Sequence, residues 1–202
     1  MPVRLRRKVA IPWSMVLSRA LLGPFIVVLS WRLQRPEVLL GIIIAAAFLS
    51  DVFDGILARR WGTATAALRI GDSIADTIFY FGVLAAIILR HCPVLWQRAD
   101  WLATLLVLEL IRMVFDWVKY RRISSYHTYA AKLWGISLAA ASIALLCFNR
   151  GYRLLTLAIF LGILCDLEGL AISLVLRRWT HDVRSLRAAL KLRGLPAEMK
   201  LE

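Results

Sequence analysis

Six long apolar stretches dominate this sequence, at about residues 14–31, 37–58, 68–90, 99–118, 129–148 and 152–177. Each comes close to the ~20 residues that a helix needs to cross the hydrocarbon core of a bilayer. The apolar residues run on without alternating, which argues against lipid-facing strands. A composition of 60% hydrophobic and 19% charged residues, over 202 residues, belongs to membrane proteins and not to soluble domains of this length. The expected fold is therefore all-α: a polytopic integral membrane protein with a six-transmembrane-helix bundle. Trp13, Trp31, Trp96, Trp101 and Trp179 fall at segment ends, where interface anchors belong. No linker interrupts the chain. Residues 1–180 read as one membrane domain, and residues 181–202 as a basic cytoplasmic tail of interfacial character.

The formal net charge of +13 would point to nucleic acid in a soluble protein. Here the basic residues sit between apolar segments, which fits anionic headgroups, and no nucleic-acid partner is expected. Arg4, Arg6, Arg7 and Lys8 precede the first segment. Arg59, Arg60 and Arg69 lie between the second and third; Lys119, Arg121 and Arg122 between the fourth and fifth; and Arg177, Arg178, Arg184, Arg187, Lys191 and Arg193 follow the sixth. The alternate loops carry fewer, so both termini are expected in the cytoplasm. The opening "MPVRLRRKVAIPW" predicts a short amphipathic helix on the membrane surface. Cys92, Cys147 and Cys165 form no CxxC pair, and neither a disulfide nor a zinc framework is visible.

Four of the eight aspartates lie in one stretch, "DVFDGILARRWGTATAALRIGDSIAD", between two strongly apolar runs. Asp51 and Asp54 are spaced i, i+3 on the second helix, and Asp72 and Asp76 i, i+4 on the third, so each pair shares a helix face. The two helices are antiparallel across a short loop. At ~1.5 Å per residue, Asp54 and Asp72 lie roughly 6–9 Å below the cytoplasmic edge and Asp51 and Asp76 roughly 12–14 Å below it. The shallow pair thus meets the shallow pair and the deep pair the deep pair, and four carboxylates converge on one locus, where they would repel one another and lose hydration. Two divalent cations, Mg²⁺ or Mn²⁺, would relieve that repulsion and suit phosphoryl chemistry. Gly55 leaves room for a ligand to approach the helix, Ala58 is small, and Arg59 can meet phosphate. The alternative is a structural network with Arg19, Arg59, Arg69 and Arg112, which balances charge but does not account for the matched spacing.

These residues resemble the signature of the CDP-alcohol phosphotransferase family, D-x-x-D-G-x-x-A-R, eight residues, G, three residues, D-x-x-x-D. Asp51, Asp54, Gly55, Ala58 and Arg59 fill the first half, and Asp72 and Asp76 the second. Leu68 stands at the second glycine, the one departure from the pattern. "WSMVLSRALLGP" is similar to the family's first-helix pattern, with Arg19 and Pro24 in place. The resemblance implies transfer of a substituted phosphate from a CDP-alcohol, typically CDP-diacylglycerol, to a second alcohol with release of CMP, in phospholipid biosynthesis. It implies Asp51, Asp54, Asp72 and Asp76 as metal ligands, Asp76 as the catalytic base, and Gly55, Ala58 and Arg59 against the nucleotide-linked donor. It also implies a homodimer. A cation transporter or a non-catalytic relative are the competing readings.

Arg112, Arg122 and Lys132 are candidate ligands for a phosphorylated acceptor, with glycerol 3-phosphate first and inositol phosphate, serine or a lipid as alternatives. An internal Glu109–Arg112 pair with Lys132 reaching toward the interface is the competing reading. His127 reads as an interfacial polar residue. Asp166 and Glu168, two residues apart on one helix, cannot share a face, and are expected to bond acceptor hydroxyls or a partner helix.

Overall fold

The computed structural model describes residues 3–63, 65–122, 126, 128–180 and 183–194, without the side chains of residues 3–8, 59, 66 and 194. The described residues form seven helices and no strand: α1 Val3–Arg32, α2 Glu37–Trp61, α3 Ala66–Trp96, α4 Ala99–Tyr120, α5 Tyr129–Phe148, α6 Tyr152–Val175 and α7 Leu186–Gly194. Five of them are long and apolar enough to cross a membrane: α1 from Val9, α2 to Ala58, α3 from Ala67, α5 and α6. The sequence expectation of six spans therefore stands at five among the described residues. The fourth apolar stretch does become a 22-residue helix. Asp100, Glu109, Arg112, Asp116 and Lys119 dilute its apolar character. The basic N-terminal segment is helical from Val3 and runs without a break into α1.

The chain divides into two compact units, Met1–Leu95 with Ala139–Tyr152, and Trp96–Leu138 with Arg153–Glu202. In the first unit α1 and α3 meet through glycines. A Cβ on Gly23 would stand 2.6 Å from the Ile78 carbonyl oxygen, and one on Gly82 would fall against the Gly23 backbone. Small residues at such a crossing let two backbones approach closely in lipid. This crossing lies one helical turn after Arg19 on α1, so it presses the arginine's turn toward Asp76 on α3. We expect Gly82→Val to cost about 1–3 kcal/mol, because the clash is with backbone and the helices must part. Gly135→Ala meets nothing within 4 Å. It should be neutral or stabilising by up to about 1 kcal/mol. Thermal unfolding of both variants in detergent checks the pair; equal effects would remove the crossing from the account.

At the other end of this unit, Arg90 ties α3 to the α1–α2 turn. Its guanidinium donates to the carbonyls of Ser30 at 3.2 Å, Leu33 at 3.5 Å and Gln34 at 3.3 Å, and to Glu37 Oε1 at 3.2 Å. The last carbonyls of α1 have no partner within the helix, and a cation meets them well. Just beyond, α3 kinks: His91 leaves helical geometry, with φ −137° and ψ 34°. Pro93 is the cause, since it has no N–H for the Leu89 carbonyl and its ring crowds that oxygen. The helix expected to end near residue 90 continues past the kink to Trp96.

In the second unit α4 and α6 share a polar seam. Arg112 donates from Nε to Asp166 at 3.1 Å and from Nη2 to Glu109 at 3.0 Å. Gly169 makes room, since a Cβ there would stand 2.9 Å from Arg112 Cδ. Asp116 is fully buried and accepts from the Ser173 hydroxyl. Tyr120 donates its hydroxyl to the carbonyls of Ser173 and Leu176, each at 2.8 Å. The C-terminal segment folds back: Val183 and Ala189 are buried with Ile172 and Leu176 of α6. Glu168 accepts from the Leu186 backbone N–H at 3.3 Å, capping the start of α7.

Candidate functional site

The helix faces predicted from spacing do converge. Arg19 of α1 reaches into the space between α2 and α3 and meets all four aspartates. Its Nη1 donates to Asp51 Oδ1 at 2.9 Å, to Asp72 Oδ1 at 3.0 Å, and to Asp76; its Nη2 donates to Asp54. The arginine side chain is 2% exposed. A guanidinium placed so is held by its forked donors, which match carboxylate geometry.

The four acids are not equivalent. Asp54 is buried at the back of the cluster. Asp51 and Asp76, with side chains 39% and 34% exposed, form its open side. Oxygens of Asp51, Asp72 and Asp76 lie within 4.8 Å of one another, close enough to share one ion. Asp51, Asp72 and Asp76 thus form a group of three with Asp54 behind it. A step of three residues turns the helix by about −60° and a step of four by about +40°, so the two acids of each pair share a face without pointing along one line.

One positive charge on Arg19 balances one of four carboxylates. The donor set is anionic, all oxygen and hard, which is what Mg²⁺ and Mn²⁺ prefer. A small cavity of about 10 Å³ adjoins Arg19, Asp51 and Asp76, at the lower limit for a water-sized guest. Its wall includes Tyr80, Ala47 and Phe48. Sequence reasoning missed Tyr80, although Asp72, Asp76 and Tyr80 recur at i, i+4 and i+8 along one face of α3.

The remaining candidates are distributed as follows. Ala58 is 5% exposed, packed with Val16, Leu68 and Ala75, and offers a ligand almost no surface. Gly55, one turn earlier, is half-buried. The side chain of Arg59 lies outside the described residues, as does His127. Arg112 is engaged by Glu109 and Asp166, the pairing weighed against an acceptor role. Arg122 lies over the Trp179 ring and Lys132 over the Tyr129 ring. No described contact links these three basic residues. Asp166 and Glu168 each bond another helix.

The sequence model of CDP-alcohol phosphatidyltransferases matches residues 9–175, a stretch that contains all of Arg19, Asp51, Asp54, Asp72 and Asp76. The chain belongs to this family. Two relatives are named CDP-diacylglycerol–glycerol-3-phosphate 3-phosphatidyltransferase. One, from Blochmanniella floridana, is 33% identical over 107 residues, which cover 50% of this chain and 53% of the relative. The other, from Salmonella choleraesuis (strain SC-B67), is 29% identical over 102 residues, covering 50% of this chain and 55% of the relative. The chain spans about half the length of the curated relatives it matches. No solved structure matches it.

In this member of the family the Leu68 departure has a packing role. The leucine is 6% exposed and closes the space among Val16, Ala58 and Ala75. Its backbone N–H is met by the Thr65 hydroxyl at 3.2 Å, at the start of α3. Gly71, three residues on, serves a different purpose: a Cβ there would stand 3.0 Å from the Trp13 ring.

Proposed function

We propose that the protein transfers a substituted phosphate from CDP-diacylglycerol to the hydroxyl of a second alcohol, releasing CMP. Glycerol 3-phosphate is the first acceptor, in keeping with the names of the two relatives. The observation that carries this reading is the convergence of four signature aspartates, from two neighbouring helices, on one partly open point.

Asp51, Asp54, Asp72 and Asp76 would hold two divalent cations, Mg²⁺ or Mn²⁺. When bound, such ions clamp phosphate oxygens and neutralise charge that develops in phosphoryl transfer. The chain's own residues then divide the work. Asp76, on the open side, takes the proton of the acceptor hydroxyl. The acceptor oxygen forms its bond to the phosphorus that carries the lipid alcohol, the bond from that phosphorus to the CMP oxygen breaks, and CMP departs. Asp54, buried behind the cluster, fixes the Arg19 fork and does not touch substrate. Gly55 and Arg59 are the proposed contacts for the donor's phosphates, and Ala58 contributes by being small enough for Leu68 to pack. For the acceptor phosphate, Arg122 and Lys132 have no carboxylate partner among the described residues and are better suited than Arg112, whose donors are engaged.

The reading extends to the membrane. Helix α4 is proposed as the sixth crossing, with Asp116 and Arg112 turned to α6 and away from lipid. The basic segment before Val9 lies along the interface, both termini and the aspartates face the cytoplasm, and the protein works as a homodimer. Purified protein with Mg²⁺, CDP-diacylglycerol and a panel of acceptors should release CMP with glycerol 3-phosphate. A chelator should abolish release and added Mn²⁺ or Mg²⁺ restore it. No CMP with any acceptor, in protein that unfolds cooperatively, would sink the proposal.

A further inference from the structure

A second polar site lies at the other end of the first unit. A cavity of about 400 Å³ opens there between the end of α1, the start of α2, the α3 kink and the end of α5. That is within the ordinary size range of small-ligand sites. Glu37 and Arg90, both in its wall, stand 14 residues along α2 and α3 from Asp51 and Asp76. At ~1.5 Å per residue the cavity is roughly 21 Å from the aspartates. Added to the 12–14 Å depth of those acids, this exceeds the ~30 Å hydrocarbon core and reaches the opposite headgroup layer.

The lining is polar and electrically balanced. It carries one fixed cation, Arg90, and one anion, Glu37, side by side at 3.2 Å. Arg90 is immobilised by four hydrogen bonds and cannot fold into the space. Ser30 is 6% exposed, and its Oγ has no hydrogen-bond partner. A buried hydroxyl is seldom left unsatisfied unless something absent from the protein meets it. The His91 imidazole and the Asn149 amide, also in the wall, make no hydrogen bond among the described residues. Both are set by unusual backbone: His91 by the kink, Asn149 by a left-handed φ of 50°. Three neutral donors therefore stand beside a matched pair of charges.

A purely anionic ligand would meet Glu37, and a purely cationic one Arg90. A ligand bearing both signs meets neither objection. We propose that this cavity binds a zwitterionic phosphate ester of the phosphoethanolamine type, supplied by the headgroup of a phospholipid in the leaflet opposite the aspartates. Its phosphate oxygens accept from Ser30, His91 and Asn149, and its ammonium meets the Glu37 oxygen not bonded to Arg90. This proposal does not rest on the transferase reading.

The test is native mass spectrometry of the purified protein with equimolar phosphatidylethanolamine and phosphatidylglycerol of the same acyl chains. Phosphatidylethanolamine should be retained several-fold in excess. Glu37→Gln removes the anion while keeping an acceptor for Arg90, and Asn149→Gly keeps the left-handed backbone while removing the amide. Both should bring the retention ratio close to one, with thermal unfolding confirming a folded protein. Ser30→Ala should weaken retention and leave the fold intact. A melting shift with free phosphoethanolamine, without preference between lipids, would support the same chemistry supplied from solution. Preference for phosphatidylglycerol, a preference that survives all three variants, or no effect of either lipid or free phosphoethanolamine would overturn it.

Discussion

Asp76→Asn should lower CMP release by about 10²–10⁴-fold, the range lost when a positioned general base is removed. The substitution keeps the side chain's shape and one carbonyl oxygen, so Arg19 retains a partner at that point. Asp76 is one third exposed, and three other aspartates still meet the guanidinium. The melting temperature should therefore move little while turnover collapses. Asp54→Asn gives the contrast. Asp54 is buried at the back of the cluster and bonds Nη2 alone. Its loss should lower both stability and rate, because Asp54 holds the Arg19 fork and is also a proposed metal ligand. CMP release from both variants, paired with their unfolding curves, separates the two roles. A fall of less than tenfold for Asp76→Asn would mean that another group takes the proton.

The parts of this site legible in the sequence are those set by local periodicity. Asp51 with Asp54, and Asp72 with Asp76, share faces because the α-helix repeats every 3.6 residues, and no tertiary information is needed to see it. Their meeting followed from one further inference, that two apolar runs joined by a short basic loop are antiparallel. What spacing could not supply was the choice among distant partners. Four arginines were open as counter-charges, and the structure brings Arg19, 32 residues before Asp51, to the centre. Arg112 is taken by Asp166, 54 residues away. Those choices depend on helix rotation and close approach, set here by Gly23 against Gly82 and by Gly169 beneath Arg112. Leu68 could be seen as a departure from a signature, but not as the plug among Val16, Ala58 and Ala75 that it forms. In α4, the charges that complete a seam with α6 are the same charges that dilute its apolar character. Composition alone could not tell inward-facing acids from exposed ones.

Arg19→Gln should destabilise the metal-free protein by about 3–5 kcal/mol, the usual cost of removing one partner from a buried ion pair. Glutamine still donates hydrogen bonds but carries no charge. The four carboxylates then face one another without a cation; for Asp51, Asp72 and Asp76, whose oxygens lie within 4.8 Å of one another, each pair repels by roughly 3–4 kcal/mol at an effective dielectric constant near 20. Two accounts of the cluster diverge at this point. If the aspartates exist to hold Arg19 in a structural network, the variant is simply unstable, and Mg²⁺ or Mn²⁺ does nothing for it. If they exist to hold divalent cations, the guanidinium and the metal compete for the same oxygens. Removing the guanidinium then enlarges the metal's effect. The expected result is a melting temperature well below that of the unaltered protein in chelator and a larger upward shift on adding Mg²⁺. Half-maximal stabilisation should come at a lower metal concentration. Melting curves across a Mg²⁺ series for both proteins decide the matter independently of turnover, because ligand binding to the folded state stabilises it by mass action alone. Curves that Mg²⁺ does not shift in either protein would leave the carboxylates as partners of an arginine and nothing more.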